Sequence, residues 1–136
     1  MCTRQVAADL CRQGFYCHAN TGYDIQPCPL GTYGASEGLK SEGECSNCTG
    51  GSYCNSPGLP APTAECDPGF WCQLGVSFSS PDKNSGHTGT GGKCFRGHEC
   101  PKGTSYPQPC KNGYYSNAEG MEQCSECPEG ILSLIC

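Results

Sequence analysis

Large apolar side chains are scarce in this chain of 136 residues. Sixteen residues are Leu, Ile, Val or Phe, and the chain has one Trp and two Met. Such a composition offers too little apolar surface to offset the conformational entropy lost on folding, so without cross-links it would predict disorder. An ordinary apolar core is therefore excluded, and another interaction must hold any fold.

Helical periodicity, membrane-length apolar runs and excess positive charge are missing as well. No window shows apolar spacing near 3.6 residues, and the apolar tail at 131–135 is far shorter than the roughly 20 residues that span a bilayer. Acidic residues outnumber basic ones 13 to 8, which gives a net charge of −5. We therefore expect no membrane span in this segment and no nucleic acid partner.

Cysteine is abundant, with 15 residues, and it is accompanied by 20 Gly and 11 Pro. This density is typical of a disulfide scaffold. Each bridge stabilises the fold by roughly 2–4 kcal/mol, mainly by restricting the unfolded chain. Because bridges persist in oxidising compartments, we expect an extracellular or cell-surface location. Glycine and proline favour turns and short strands over helices.

Seven of the 15 cysteines begin a copy of a repeated frame, Cys-x-x-Gly-x-aromatic. Full copies begin at Cys11, Cys28, Cys48, Cys66 and Cys110, and two copies beginning at Cys94 and Cys127 carry Glu99 and Leu132 in place of the aromatic residue. A repeat this dense indicates one small unit used in series, an architecture suited to reach and contact rather than to a single catalytic pocket. We expect the glycine to form a positive-φ turn and the aromatic ring to pack on a neighbouring disulfide.

The cysteine spacing predicts structural disulfides. The hairpin loops Cys28–Cys45 and Cys110–Cys124 are the pairs we expect most. The cysteines assigned to disulfides are Cys11, Cys17, Cys28, Cys45, Cys48, Cys54, Cys66, Cys72, Cys94, Cys100, Cys110, Cys124 and Cys127. Because 15 is odd, one cysteine cannot pair within the chain; Cys2 and Cys136 are the candidates for an unpaired or intermolecular half-cystine.

Residues 73–93 interrupt the repeat, because they contain no cysteine and are rich in Gly, Ser and Thr. This composition is typical of an exposed insertion or flexible connector. We therefore divide the chain into a first cysteine-rich array at 1–72, the connector at 73–93 and a second array at 94–136.

Other chemistry finds little support in the sequence. The pairs Cys45/Cys48 and Cys124/Cys127 are zinc half-sites or redox pairs in principle, but no matching histidine pair or βαβ element accompanies them. His18, His87 and His98 are scattered, Asp24, Asp67 and Asp82 stand alone, and Glu119, Glu122, Glu126 and Glu129 form a loose acidic run. We predict no catalytic residues, no cofactor and no metal. Asn47 begins the sequon Asn-Cys-Thr and is a glycosylation candidate.

The segment from Cys94 to Cys127 resembles the ephrin-receptor-like cysteine-rich repeat, which is itself similar to tumour-necrosis-factor-receptor and EGF-like modules. The resemblance rests on Cys-x-x-Gly-x-Tyr, on the glycine before the second half-cystine and on Cys-x-x-Cys as the junction between units. Residues 11–72 follow the same plan. The resemblance implies a small, disulfide-rich, mostly irregular fold of elongated tandem modules with short β-hairpins and little helix.

These observations favour a non-enzymatic extracellular structural or adhesive module, part of a longer repeat protein and a candidate fibre or filament subunit. Its expected partners are proteins, above all copies of itself or neighbouring repeats, with attached glycans. The alternative is the ligand-binding ectodomain of a cell-surface receptor.

Because so few apolar residues are available, we predict that folding depends on the bridges. Full reduction should abolish resistance to protease on warming, whereas the oxidised chain should resist. Closing a loop of about 15 residues contributes roughly 3 kcal/mol. A chain that stays compact when fully reduced would reveal a core that the composition does not predict.

Overall fold

The computed structural model describes residues 11–17 and 25–128. The regular elements in this part of the chain are twelve short strands and one turn of 3-10 helix, Glu42–Glu44. The predicted fold class, a small disulfide-rich fold with short β-hairpins and little helix, is confirmed. The strands are β1 (Phe15–Cys17), β2 (Ile25–Pro27), β3 (Thr32–Tyr33), β4 (Ser46–Asn47), β5 (Ser52–Tyr53), β6 (Ala64–Glu65), β7 (Phe70–Leu74), β8 (Thr90–Lys93), β9 (His98–Glu99), β10 (Gln108–Pro109), β11 (Tyr114–Tyr115) and β12 (Ser125–Glu126).

In the described residues, the six copies that begin at Cys11, Cys28, Cys48, Cys66, Cys94 and Cys110 each fold as one antiparallel hairpin. Strands pair in sequence order, β1 with β2 through to β11 with β12. We name the copies unit 1 (11–27), unit 2 (28–47), unit 3 (48–65), unit 4 (66–93), unit 5 (94–109) and unit 6 (110–126). The frame glycine precedes the first strand of each hairpin with φ between 78° and 89°. The predicted positive-φ turn is therefore present in all six units.

Disulfides close the units and form their interior. Units 1, 3, 4 and 5 bridge the frame cysteine to the cysteine six positions later, and units 2 and 6 bridge it to a cysteine near the end of the hairpin. Of the ten buried hydrophobic residues in the described part of the chain, eight are half-cystines and the other two are Trp71 and Val76. Sulfur thus occupies the interior that aliphatic side chains fill in larger domains.

Consecutive units are joined by a recurring set of three backbone hydrogen bonds. Between units 3 and 4, Gly51 N–H donates to Cys72 O, Gly75 N–H donates to Cys48 O, and Cys54 N–H donates to Val76 O, at 2.7–2.9 Å. The same three bonds occur at equivalent positions between each other pair of consecutive units from 1 to 6. The hairpins therefore form one continuous hydrogen-bonded stack, as in other repeat architectures in which each repeat contacts its neighbours.

The frame glycines also approach the unit two steps further along. A methyl group placed on Gly51 would lie 2.5 Å from the carbonyl oxygen of Gly103, which belongs to unit 5. The equivalent pairs are Gly14 with Gly58, Gly31 with Gly75 and Gly69 with Gly120, at 2.5–2.6 Å. Only glycine can occupy these sites, because any side chain would collide with backbone as well as disfavour the positive φ. Gly97 and Gly113 have positive φ without any such contact in the described part of the chain.

The insertion is anchored at a few buried residues while the rest of it is exposed or half-buried, and its flexibility stays a prediction. Residues 75–89 connect β7 to β8, and Val76 and Pro81 within them are fully buried. Thr88 folds back on the start of the loop: its N–H donates to Ser77 Oγ at 2.9 Å and its hydroxyl donates to Gly75 O at 2.7 Å. Small polar residues thus supply the hydrogen bonds that hold a loop without cysteine. The boundaries at 1–72, 73–93 and 94–136 stay predictions.

The two classes of frame glycine give a matched test. Gly51→Ala and Gly97→Ala both place an alanine at positive φ, which costs about 1–2 kcal/mol. Only Gly51→Ala adds a collision with the Gly103 carbonyl, and overpacking of this kind costs a further ~1–3 kcal/mol. Thermal unfolding with all bridges intact should show a clearly lower Tm for Gly51→Ala. Equal losses in the two variants would mean that units two steps apart are not in close contact.

Candidate functional site

The Cys-x-x-Cys sequences are junctions between units. Cys45 closes unit 2 with Cys28, whereas Cys48 opens unit 3 and pairs with Cys54. Cys124 likewise closes unit 6 with Cys110. Cys127 is disulfide-bonded as well, so all four cysteines of these two pairs are in bridges. Neither pair is therefore a free dithiol for redox exchange or a zinc half-site.

The two predicted hairpin bridges, Cys28–Cys45 and Cys110–Cys124, are both present. The unit 4 bridge, Cys66–Cys72, has the same spacing as those of units 1, 3 and 5. Cys2 and Cys136, the candidates for an unpaired or intermolecular half-cystine, lie outside the described residues, as do His18, Asp24, Glu129 and Leu132.

In units 3 and 4, the frame aromatic residue packs on the disulfide of the next unit. Tyr53 of unit 3 contacts the cluster of Cys66, Cys72 and Val76 in unit 4. Trp71 of unit 4 forms a cluster with Cys94 and Cys100 of unit 5. The predicted contact between aromatic ring and neighbouring disulfide is confirmed at these two positions. At these two steps it adds apolar burial to the backbone hydrogen bonds.

Four rings meet on the surface of units 4 and 5. Trp71 is 9% exposed, and its ring centroid lies 5.8 Å from that of Phe95 and 5.2 Å from that of Tyr106, both edge to face. Phe95 also meets the His98 ring at 5.7 Å. Edge-to-face pairs of this kind are favourable by about 0.5–1.5 kcal/mol beyond their burial. Phe95 and Tyr106 remain 38% and 49% exposed.

The Trp71 indole lies across Gly92, its partner on β8. Its Nε1 would be 3.4 Å from a methyl group on that glycine. Trp71 Nε1 is buried and has no hydrogen-bond partner among the residues that the structure describes. An unpaired buried donor costs about 1–3 kcal/mol, so burial of the large ring outweighs the loss of one hydrogen bond here.

Glu99 occupies the frame position of unit 5 where other units carry an aromatic ring. Its Oε1 accepts a 2.9 Å hydrogen bond from the backbone N–H of Cys124, across the junction with unit 6. Beside this contact lies a cavity of about 320 Å³. The residues that line it are Glu99, Pro101, Lys111, Tyr114, Glu122, Gln123 and Cys124. The substitution thus replaces ring packing by one hydrogen bond and leaves space at the junction.

The sequon lies at the end of β4. Asn47 is exposed and pairs with Thr32 in the hairpin, and Thr49 is exposed as well. Cys48 between them is fully buried in its bridge to Cys54. Occupancy of Asn47 stays a prediction.

The histidines and acidic residues of the described chain are dispersed. His87 Nδ1 lies 2.9 Å from Ser85 Oγ within the insertion, and His98 Nδ1 lies 3.0 Å from Arg96 O in unit 5. Asp67 accepts a hydrogen bond from Ser80, and Asp82 contacts Ser85. Within residues 11–17 and 25–128, no three His, Cys, Asp or Glu side chains are grouped so that they could hold a metal ion. In the same residues, no helix has the length and apolar character needed to cross a membrane.

The chain is a small disulfide-rich repeat module. A scan against protein-family models finds no match. A search among curated proteins finds no significant similarity either. The character of the module therefore rests on its own bridges, hairpins and stacking contacts.

The packing of Trp71 generates a stability prediction. Trp71→Ala should lower the free energy of unfolding by about 3–5 kcal/mol, because it leaves the unit 5 bridge uncovered. Trp71→Tyr, which installs the residue found at this frame position in units 2 and 3, should retain most of the stability. Denaturant unfolding of the oxidised variants measures both. If Trp71→Ala costs less than about 1 kcal/mol, ring packing on the bridges does not stabilise the stack.

Proposed function

We propose that this chain is a non-enzymatic extracellular structural or adhesive module, part of a longer repeat protein, which acts through its length and surface. The observation that carries the proposal is the recurring set of three backbone hydrogen bonds between consecutive units. Such bonds fix the spacing and orientation of each unit relative to the next. A stack of this kind is suited to hold contact surfaces at set distances, as repeat proteins do.

The disulfides and the composition support the extracellular part of the proposal. Six bridges with both partners in the described residues require an oxidising compartment. The bridged hairpins fit the resemblance to ephrin-receptor-like cysteine-rich repeats and related EGF-like modules. Copies of the chain or neighbouring repeats are the partners we propose, with a glycan at Asn47, and the assembled form we propose is a fibre or filament.

The second candidate function is a ligand-binding receptor ectodomain. The observation in its favour is the exposure of Phe95 and Tyr106, since exposed aromatic side chains are enriched in protein interfaces.

Self-association of the oxidised chain tests the proposal. Sedimentation velocity over a range of concentrations should show open-ended growth, because a head-to-tail contact that does not close on itself gives filaments. Non-reducing electrophoresis should show covalent oligomers, and Cys2→Ser should remove them if Cys2 is the intermolecular half-cystine. A chain that stays monomeric at every concentration while binding a soluble protein ligand one to one would favour the receptor function.

A further inference from the structure

The cavity between units 5 and 6 has a specific cause in the repeat. In units 3 and 4 the frame position carries Tyr53 and Trp71, and each ring covers the bridge of the following unit. In unit 5 the same position is Glu99, which reaches the backbone of Cys124 in the unit 6 bridge but does not fill the space that a ring takes up. A volume of about 320 Å³ remains. That volume is at the lower end of the range for ligand sites, and it suits a single side chain.

The lining of this cavity combines apolar walls with charge. Pro101, Cys124 and the ring of Tyr114 are the less polar parts of the lining, and Glu99 and Glu122 contribute two carboxylates. Lys111 lines the same cavity and brings its net charge to −1. Such a lining matches a guest that has an aliphatic stem and a cationic end.

The remaining hydrogen-bonding capacity of Glu99 also favours a guest with a cationic end. A carboxylate has about four acceptor positions on its two oxygens, and the Cys124 N–H uses one of them on Oε1. Tyr114 is 42% exposed, so its ring is accessible to a cation. Arginine suits both features better than lysine, because its planar guanidinium can donate two parallel hydrogen bonds to a carboxylate and can stack on an aromatic ring.

We propose that the cavity at Glu99 receives an arginine side chain of a protein partner, with the guanidinium paired with Glu99 and Glu122 and stacked on Tyr114, and with the stem along Pro101. This inference goes beyond the structural role proposed above and does not depend on it, since it concerns one junction of the stack. The partner is identified here by its chemistry, an exposed arginine on its surface.

The test uses the oxidised full chain and three small probes: the N-acetyl methylamides of arginine, of citrulline, which is its neutral isostere, and of norleucine. Titration is followed by the NMR shift of the Cys124 amide, which reports directly on the Glu99 hydrogen bond. We expect saturable binding of the arginine probe with a Kd on the order of millimolar, weakened by added salt. The citrulline and norleucine probes should bind at least about tenfold more weakly.

Variants separate charge recognition from loss of structure. Glu99→Gln keeps an acceptor for the Cys124 N–H and should weaken arginine binding about tenfold. Lys111→Gln should tighten it about threefold, since it removes a like charge. The opposite signs cannot both arise from a folding defect. Glu99→Tyr restores the ring of the repeat and should abolish binding, and the control Glu119→Gln, an exposed residue outside the cavity lining, should leave it unchanged.

Two results would overturn the proposal. One is equal affinity for the arginine and citrulline probes, which would mean that the cavity does not distinguish a positively charged side chain from a neutral one. The other is the absence of any saturable shift when the arginine probe is added to the oxidised, unsubstituted chain. Either result leaves the stack of hairpins intact, so failure of this proposal is distinguishable from failure of the proposed structural function.

Discussion

Covalent closure of short loops by disulfides is the constraint on which the rest of this structure depends. Most strands are only two residues long, and isolated hairpins are marginal in water even when they are longer. Each bridge restricts the unfolded chain, and seven half-cystines of the described residues are completely buried in the interior. Without the bridges, we expect the turns that present backbone groups to the next unit to be unstable.

Stacking then converts separate hairpins into one structure. The inter-unit hydrogen bonds pair backbone groups that the short strands leave unused, which matters because unpaired buried backbone groups are costly. Frame glycines allow the backbones to approach, and in units 1 to 4 they bring the carbonyl of a unit two steps along to within contact. Covalent and non-covalent interactions therefore have separate roles: the bridges stabilise each unit, and the backbone contacts fix the relation between units.

The places where the repeat is broken carry the distinctive features of the surface. The insertion of unit 4 brings β8 beside β7, and the indole of Trp71 packs across Gly92 on β8. Trp71 in turn gathers Phe95 and Tyr106 into a partly exposed cluster. In unit 5, Glu99 replaces a ring and leaves a cavity with charge beside it. A regular array would offer a uniform surface, whereas these departures give units 4 to 6 surfaces of their own.

The sequence by itself determined the class of fold, the positive-φ turns, the ring-on-disulfide contacts of units 3 and 4, and the two longer bridges, Cys28–Cys45 and Cys110–Cys124. These follow from residue type and short-range spacing: Cys-x-x-Gly restricts the local backbone, and bridges form between cysteines that the hairpin brings together. Tertiary structure alone decided that the insertion packs through Val76 and Pro81, that Gly51 meets Gly103 and that Glu99 opens a cavity. Each of these depends on the register of the stack, which arises from contacts between residues far apart in sequence and leaves no local pattern.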